Sequence, residues 1–507
     1  MAFFGFRFII QNSFCYNKFM HKSRLINVLK TFSNDELKEF RDFVNSPYHN
    51  KNKSVIKLYE IIRKQGPNSD SPFLKKEITY SKLYPGKEYN DIVMRILMSD
   101  LLKIAEDYLV QLRIEKCEIE YNRYLLKEYM DRRLDKMFMS VLNEARTLLE
   151  DCGIDDEYFR NKFDIEELYK GFNVARNRQH LNSTNLVRLG ELAINYFFMK
   201  MSSTVHDIKV NEGNFNMEFG NNIAEQFINI ISAENINNLL KEDNLDGKDF
   251  MEIYYCALKL NDGDNTDNFY QRLKELFNRN IDSFTHEAKY NMYMALLNYC
   301  GKKHWIDRDD VYKREQLQLF KDMLSKGLYS WAENDYMTII IFRSIITLST
   351  MLGETGWMEY FIANYKDKLA PEHRENMYYF SSAKLYFARK NYELALQHIT
   401  KVNYDLFNFK YDVKSLMLQI YYELNYIEEA YNLIDTFKHF LTNNKNVSQV
   451  FKDWNINFLN CYQDLLNIKS GKNNVVFPKL KAKVVDTPNV ASKKWLLEKI
   501  KQIDNKE

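Results

Sequence analysis

The chain has 507 residues, 45% apolar and 28% charged, enough for two to four domains or one extended array in a folded, water-soluble protein. Its 15 Gly and 7 Pro, with no proline between Pro85 and Pro371, are too few for the turns and glycine loops of parallel-sheet enzymes. The net charge of +2 gives no global field that marks a nucleic-acid binder, although residues 1–90 hold 16 Lys/Arg against 8 Asp/Glu and residues 475–507 hold 8 against 4.

Residues 1–19 are aromatic and apolar but make a poor signal peptide. No basic stretch precedes the apolar run, Arg7 interrupts it, and no small-residue cleavage site follows. They read as a non-native or disordered extension with the globular chain starting at Met20; a lipid-associating end is the alternative. Ser33-Asn34-Asp35-Glu36 forms a capping box that opens a helix ending before Ser46-Pro47. A second helix spans about 54–64, so residues 20–85 form a small helical head. From Lys87 to Asp151 there is neither Gly nor Pro, and Val93, Leu97, Leu101, Ile104, Tyr108 and Leu112 make a helix stripe. Two or three helices are expected there, with turns near 113–118 and near Asp131, and more at about 155–178 and 184–203. Residues 86–210 are thus a helical bundle region. The Asn- and Gly-rich segment 211–222 reads as a loop, and strand-like alternation is confined to Val475–Val485. No run approaches the ~18 apolar residues of a membrane span. Cys15, Cys117, Cys152, Cys256, Cys300 and Cys461 form no close pair, the pattern of buried thiols in a reducing, cytoplasmic setting.

A repeat lies further on. Tyr379, Ala383 and Tyr386 precede Asn391-Tyr392-Glu393, Ala395 and Ile399; Met417-Leu418 and Tyr421 precede Tyr426-Ile427-Glu428-Glu429-Ala430 and Ile434. Ala395 and Ala430 are 35 residues apart, and another step back falls on Tyr360, beside Leu352-Gly353 and Gly356-Trp357. These residues resemble the tetratricopeptide family, whose repeat is a 34-residue antiparallel helix pair. Ala395 and Ala430 match its small second-helix residue and Tyr360 departs from it; Ala383 and Leu418 stand at the glycine-like position. The resemblance covers about 338–440, within helix pairs spanning 223–470. It implies an all-α fold: a solenoid of antiparallel helix pairs preceded by a helical N-terminal region. Segments Ser46–Lys53, Leu83–Leu102 and Lys494–Leu497 also resemble uncharacterised bacterial helical proteins that carry such repeats. Residues 471–507 read as a linker and a helix, about 491–503, whose Trp495, Leu496 and Ile500 cap the array.

Motifs for chemistry are absent. No G-x-x-x-x-G-K-[ST], G-x-G-x-x-G, G-x-S-x-G or H-E-x-x-H occurs. Asp262–Asp267 lacks the glycine and the final glutamate of a calcium loop and reads as a turn leading into a helix. Glu372-His373-Arg374-Glu375 reads as a solvated helix start. The chain is therefore read as a non-catalytic scaffold or adaptor without cofactor or metal, whose partner is a protein or peptide. In the resembled family the first helices of each pair line a groove. This register puts Met377, Phe380, Lys384 and Phe387, then Ser415, Gln419 and Tyr422, along it. The family's pattern for clamping a terminal carboxylate is not reproduced. The alternative is a peptide-sensing regulator whose basic N-terminal head contacts nucleic acid or a partner protein.

Overall fold

The computed structural model describes residues 20–504 except 21–22, 67–74, 215–216, 218, 221, 232–235, 237, 239–246, 261–265, 308–309, 404–408, 445–448 and 473–476. The readings of residues 1–19 and of the turn at 262–265 lie outside the described residues. Helix takes up 82% of the structure and no strand occurs among the described residues, so the fold is all-α. The chain divides into two compact units, residues 1–148 and 149–507.

In the first unit, helices α1 (Arg24–Leu29), α2 (Asn34–Asn45), α3 (Lys53–Gln65), α4 (Lys76–Leu83) and α5 (Asp91–Glu115) enclose one core. The capping box forms as the sequence requires: the Ser33 hydroxyl accepts from Glu36 N at 3.1 Å, and the Glu36 carboxylate accepts from Ser33 N at 2.8 Å. That cap sets the direction of α2 and turns Phe40 and Val44 inward. Phe40 meets Tyr59 of α3 edge-on at 4.9 Å. The Gly- and Pro-free stretch breaks where expected, into α5, α6 (Glu118–Asp131) and α7 (Asp135–Asp151).

The second unit begins with α8 (Asp156–Ala175), packed on α9 (Ser183–Asn214). α9 runs into the segment expected to be a loop; its Asn211 amide bonds the Asp207 carbonyl at 2.8 Å. Then come α10 (Ile223–Ile230), α11 (Lys248–Lys259), α12 (Thr266–Asn280), α13 (His286–Asp307) and α14 (Asp310–Ser325). Just before α8, Ile154 N donates to the Ser283 carbonyl at 2.7 Å and Thr285 N donates to Ile154 O at 3.2 Å. Gly153 permits this approach, because a Cβ there would lie 3.0 Å from the Thr285 methyl and 3.2 Å from its backbone N.

Three helix pairs follow: α15 (Ile339–Leu352) with α16 (Thr355–Tyr365), α17 (Pro371–Ala388) with α18 (Tyr392–Ile399), and α19 (Phe409–Leu424) with α20 (Ile427–Asn443). Their internal turns are alike. Each holds one residue at positive φ, Gly353 at 73°, Lys390 at 59° and Asn425 at 61°. Each is closed by a backbone bond reaching back five residues: Glu354 to Ser349, Asn391 to Tyr386 and Tyr426 to Tyr421. Helices α21 (Gln449–Lys469), α22 (Phe477–Asp486) and α23 (Lys493–Asp504) complete the unit. The suggested strand at 475–485 is thus the helix α22 where it is described. Leu480 and Val484, four residues apart, are both buried, and Pro478 lies in the first turn, where a missing N–H is tolerated.

Candidate functional site

The first helices of the three pairs are neighbours: α15 packs on α17, and α17 on α19. Ion pairing spans the outer two. Arg343 of α15 reaches Asp412 of α19 with both forks of its guanidinium, Nη2 to Oδ1 at 3.0 Å and Nε to Oδ2. Their side chains are 25% and 16% exposed. Arg343 is the one cation in the apolar run Ile339–Leu352, a position a solvent-facing helix would not reserve for it. That isolation was a legible signal for it, and Asp412 carried none.

Lys384 of α17 shares this neighbourhood. Its ammonium lies 5.5 Å from the Phe380 ring centroid and has no hydrogen-bond or ion-pair partner among the described residues. Burial pushes Lys384 below its ordinary range, with Asp412 opposing and Arg343 reinforcing that push. Burial works to raise the Asp412 carboxyl, yet the charge and hydrogen bonds of Arg343, aided by Lys384, hold it below the usual carboxylate range. The charge of Asp412 in turn raises Arg343.

The other expected groove residues separate into three groups. Met377 and Phe380 are 1% and 0% exposed; they pack in the core and offer a partner no surface, because the register that names them turns them toward the neighbouring helices. Phe387 is partly buried, 5.5 Å from the Tyr392 ring, and Ser415 is partly exposed on the Asp412 side of α19. Gln419 and Tyr422 are already occupied by the chain itself. Gln419 Nε2 donates to Ser492 Oγ at 3.0 Å, and the Trp495 ring meets Tyr422 edge-on at 5.4 Å. Trp495 also stacks on Tyr462 of α21 at 6.0 Å, and its indole N–H donates to Glu423 Oε1 at 3.1 Å. Lys499 pairs with the same Glu423 oxygen at 2.6 Å, the two side chains being 5% and 12% exposed. Leu496 and Ile500 are fully buried beneath. The role of Glu423 could not be read from sequence, since its partners lie more than 70 positions away.

Elsewhere, polar clusters are self-contained. Asp267 accepts from Tyr299 at 2.5 Å, Tyr312 at 2.7 Å and Lys303 at 3.1 Å, and these bonds, Tyr299 first, hold its carboxyl at about 2. In a cleft between α12 and α14, Lys274 pairs with Glu315 and Lys326 with Asp322. Glu372–Glu375 form the first turn of α17, where the Arg374 Nε donates to the Leu369 carbonyl at 2.8 Å. Among the described residues, no group of three or more His, Cys, Asp or Glu is placed to hold a metal ion, and no helix is long and apolar enough to cross a membrane. No protein-family model matches this chain, and neither a curated protein nor a solved structure matches it.

Proposed function

We propose that this chain is a non-catalytic scaffold or adaptor that binds a peptide segment of another protein on the face shared by α15, α17 and α19. In this reading the helix pairs are tetratricopeptide-like, their first helices line a groove, and the protein works in a reducing, cytoplasmic setting. The observation that carries it is the convergence of Arg343, Lys384 and Asp412 from three successive first helices, with the Lys384 ammonium left without an acceptor among the described residues. A partly buried cation without a partner is unfavourable and gains from any ligand that brings an acceptor. The recurring turns at Gly353, Lys390 and Asn425 support equivalent placement of the three helices. No disulfide joins the five described cysteines, which fits the compartment.

Peptide display against the full-length chain tests the reading. Selected peptides should bind the wild type and lose most of their affinity to Lys384→Glu and to Ser415→Trp, with the melting temperature of each variant retained. Failure to select any peptide, or selected peptides that bind all three proteins equally, would remove this face as the binding site.

A further inference from the structure

The turn between α2 and α3 in the first unit presents a second surface, independent of the helix pairs. Its backbone is tightly held. The buried Asn50 side chain donates to the Val44 carbonyl at 3.0 Å and accepts from Asn52 N at 2.8 Å, while Asn52 caps α3 through Ser54 N at 3.0 Å. On this fixed turn Tyr48 is 90% exposed. It is the most exposed of the large apolar and aromatic side chains among the described residues, and packing such a ring would remove about 150–250 Å² from solvent.

The ring is also not isolated. Phe43 packs on the core residue Tyr108 at 5.4 Å, His49 stacks on Phe43 at 3.8 Å with 19° between planes, and Tyr48 stands edge-on to His49 at 5.0 Å. An aromatic ladder therefore runs from the core to the surface and fixes the position of its last ring. Lys51 and Lys53 follow within five residues of Tyr48 and Lys57 one helical turn further along α3, all exposed and none with an ion-pair partner among the described residues. Lys53 and Lys57 are one helical turn apart on α3, and the N-terminal end of α3 adds partial positive charge at the same place. The near-neutral net charge of the whole chain averages over this patch and hides it.

We propose that the α2–α3 turn binds single-stranded nucleic acid, with Tyr48 stacking on a base and Lys51, Lys53 and Lys57 meeting the flanking phosphates. An exposed ring on a rigid support supplies a stacking platform, and unpaired lysines supply the phosphate contacts; single strands offer both base faces and phosphates, whereas a duplex keeps its faces stacked. An acidic protein surface would meet the lysines and pack the ring as well, and competition separates it from a single strand.

Fluorescence anisotropy of the full-length chain with a labelled oligouridine of about 12 nucleotides, against a duplex of equal length, tests this. The single strand should bind more tightly than the duplex. Its log affinity should fall with log salt at a slope near −2, about −0.7 for each of the three lysine contacts, between about 50 and about 200 mM. Tyr48→Ala should weaken binding about tenfold without changing that slope, and Tyr48→Phe should restore it. The variant with Lys51, Lys53 and Lys57 all changed to Gln should flatten the slope. Every altered side chain is exposed, so the melting temperature should hold, and an unchanged Tyr48→Phe control separates stacking from folding. No binding at the lowest salt, or equal affinity of Tyr48→Ala and wild type, overturns the proposal. Competition by polyglutamate as effective as by oligonucleotide overturns it in favour of an acidic protein partner.

Discussion

Lys384 and Gln419 stand at the same place in consecutive helix pairs, 35 residues apart, yet their surroundings are opposite. Lys384 has no hydrogen-bond partner among the described residues, whereas Gln419 is 9% exposed and bonded to Ser492. The difference is not in the helices that carry them. It comes from α23, which lies against α19 through Trp495 and Lys499 and has no counterpart beside α17 among the described residues. Positions matched by sequence spacing and by the turns beside them are thus alike only in backbone. What a side chain does there depends on what the rest of the chain lays over it.

The largest expected effect falls on the covered side. Glu423→Ala removes the acceptor for both Lys499 and Trp495 and leaves Lys499, 5% exposed, with the weaker contacts of Glu498 and Gln502. A loss of about 3 kcal/mol in urea unfolding is expected, from the cost of a buried charge stripped of its partner. Wild-type stability in this variant would mean that α23 does not rest on α19. Next in size, Ala395→Trp and Ala430→Trp should each cost roughly 1–3 kcal/mol or more, because both alanines are 0% exposed at helix contacts. Unchanged stability in both variants would mean that the repeat register is wrong. The smallest effect belongs to the open side. Burial lowers the Lys384 pKa, so in alkaline solution the unfolded chain holds a proton that the folded chain has begun to release. Stability should therefore gain from this site as pH rises through the window below the ordinary lysine value, and be penalised by it at lower pH. Lys384→Met should abolish that rise; an identical pH profile for the two proteins would show that Lys384 is fully hydrated.

Much of the fold was legible because it is written in short-range patterns. The Ser33 capping box, the stripe along α5 and the breaks near 115 and 131 all depend on residues within a few positions of each other. Where reading went astray, longer distances decided. A constant step of 35 places Tyr360 opposite Ala395, but Tyr360 is 51% exposed. The turns show why: Gly353 and Lys390 are 37 positions apart, and Lys390 and Asn425 are 35. Counted from the turns, the residue matching Ala395 is Met358, which is 0% exposed. Two additional residues between the first of these turns and the second shift the register invisibly to a fixed period. Of the candidate site, Lys384 and Gln419 were named from the repeat, while Arg343, Asp412 and Glu423 were not. Their importance arises from pairings across 69 to 76 positions, which no local pattern encodes.

The dependence of α19 on α23 also has a place in time. A ribosome adds residues at about 5–20 per second, so on the order of ten seconds separates the appearance of Glu423 from that of Lys499. Throughout that interval α19 can fold against α17 and α20, and Tyr462 and Lys469 of α21 can reach Tyr422, but Glu423 has neither Trp495 nor Lys499 to pair with. A nascent chain caught at this stage carries a carboxylate unmatched by the cation that the finished protein lays over it. The surface that carries Glu423 is thus more acidic during synthesis than after it.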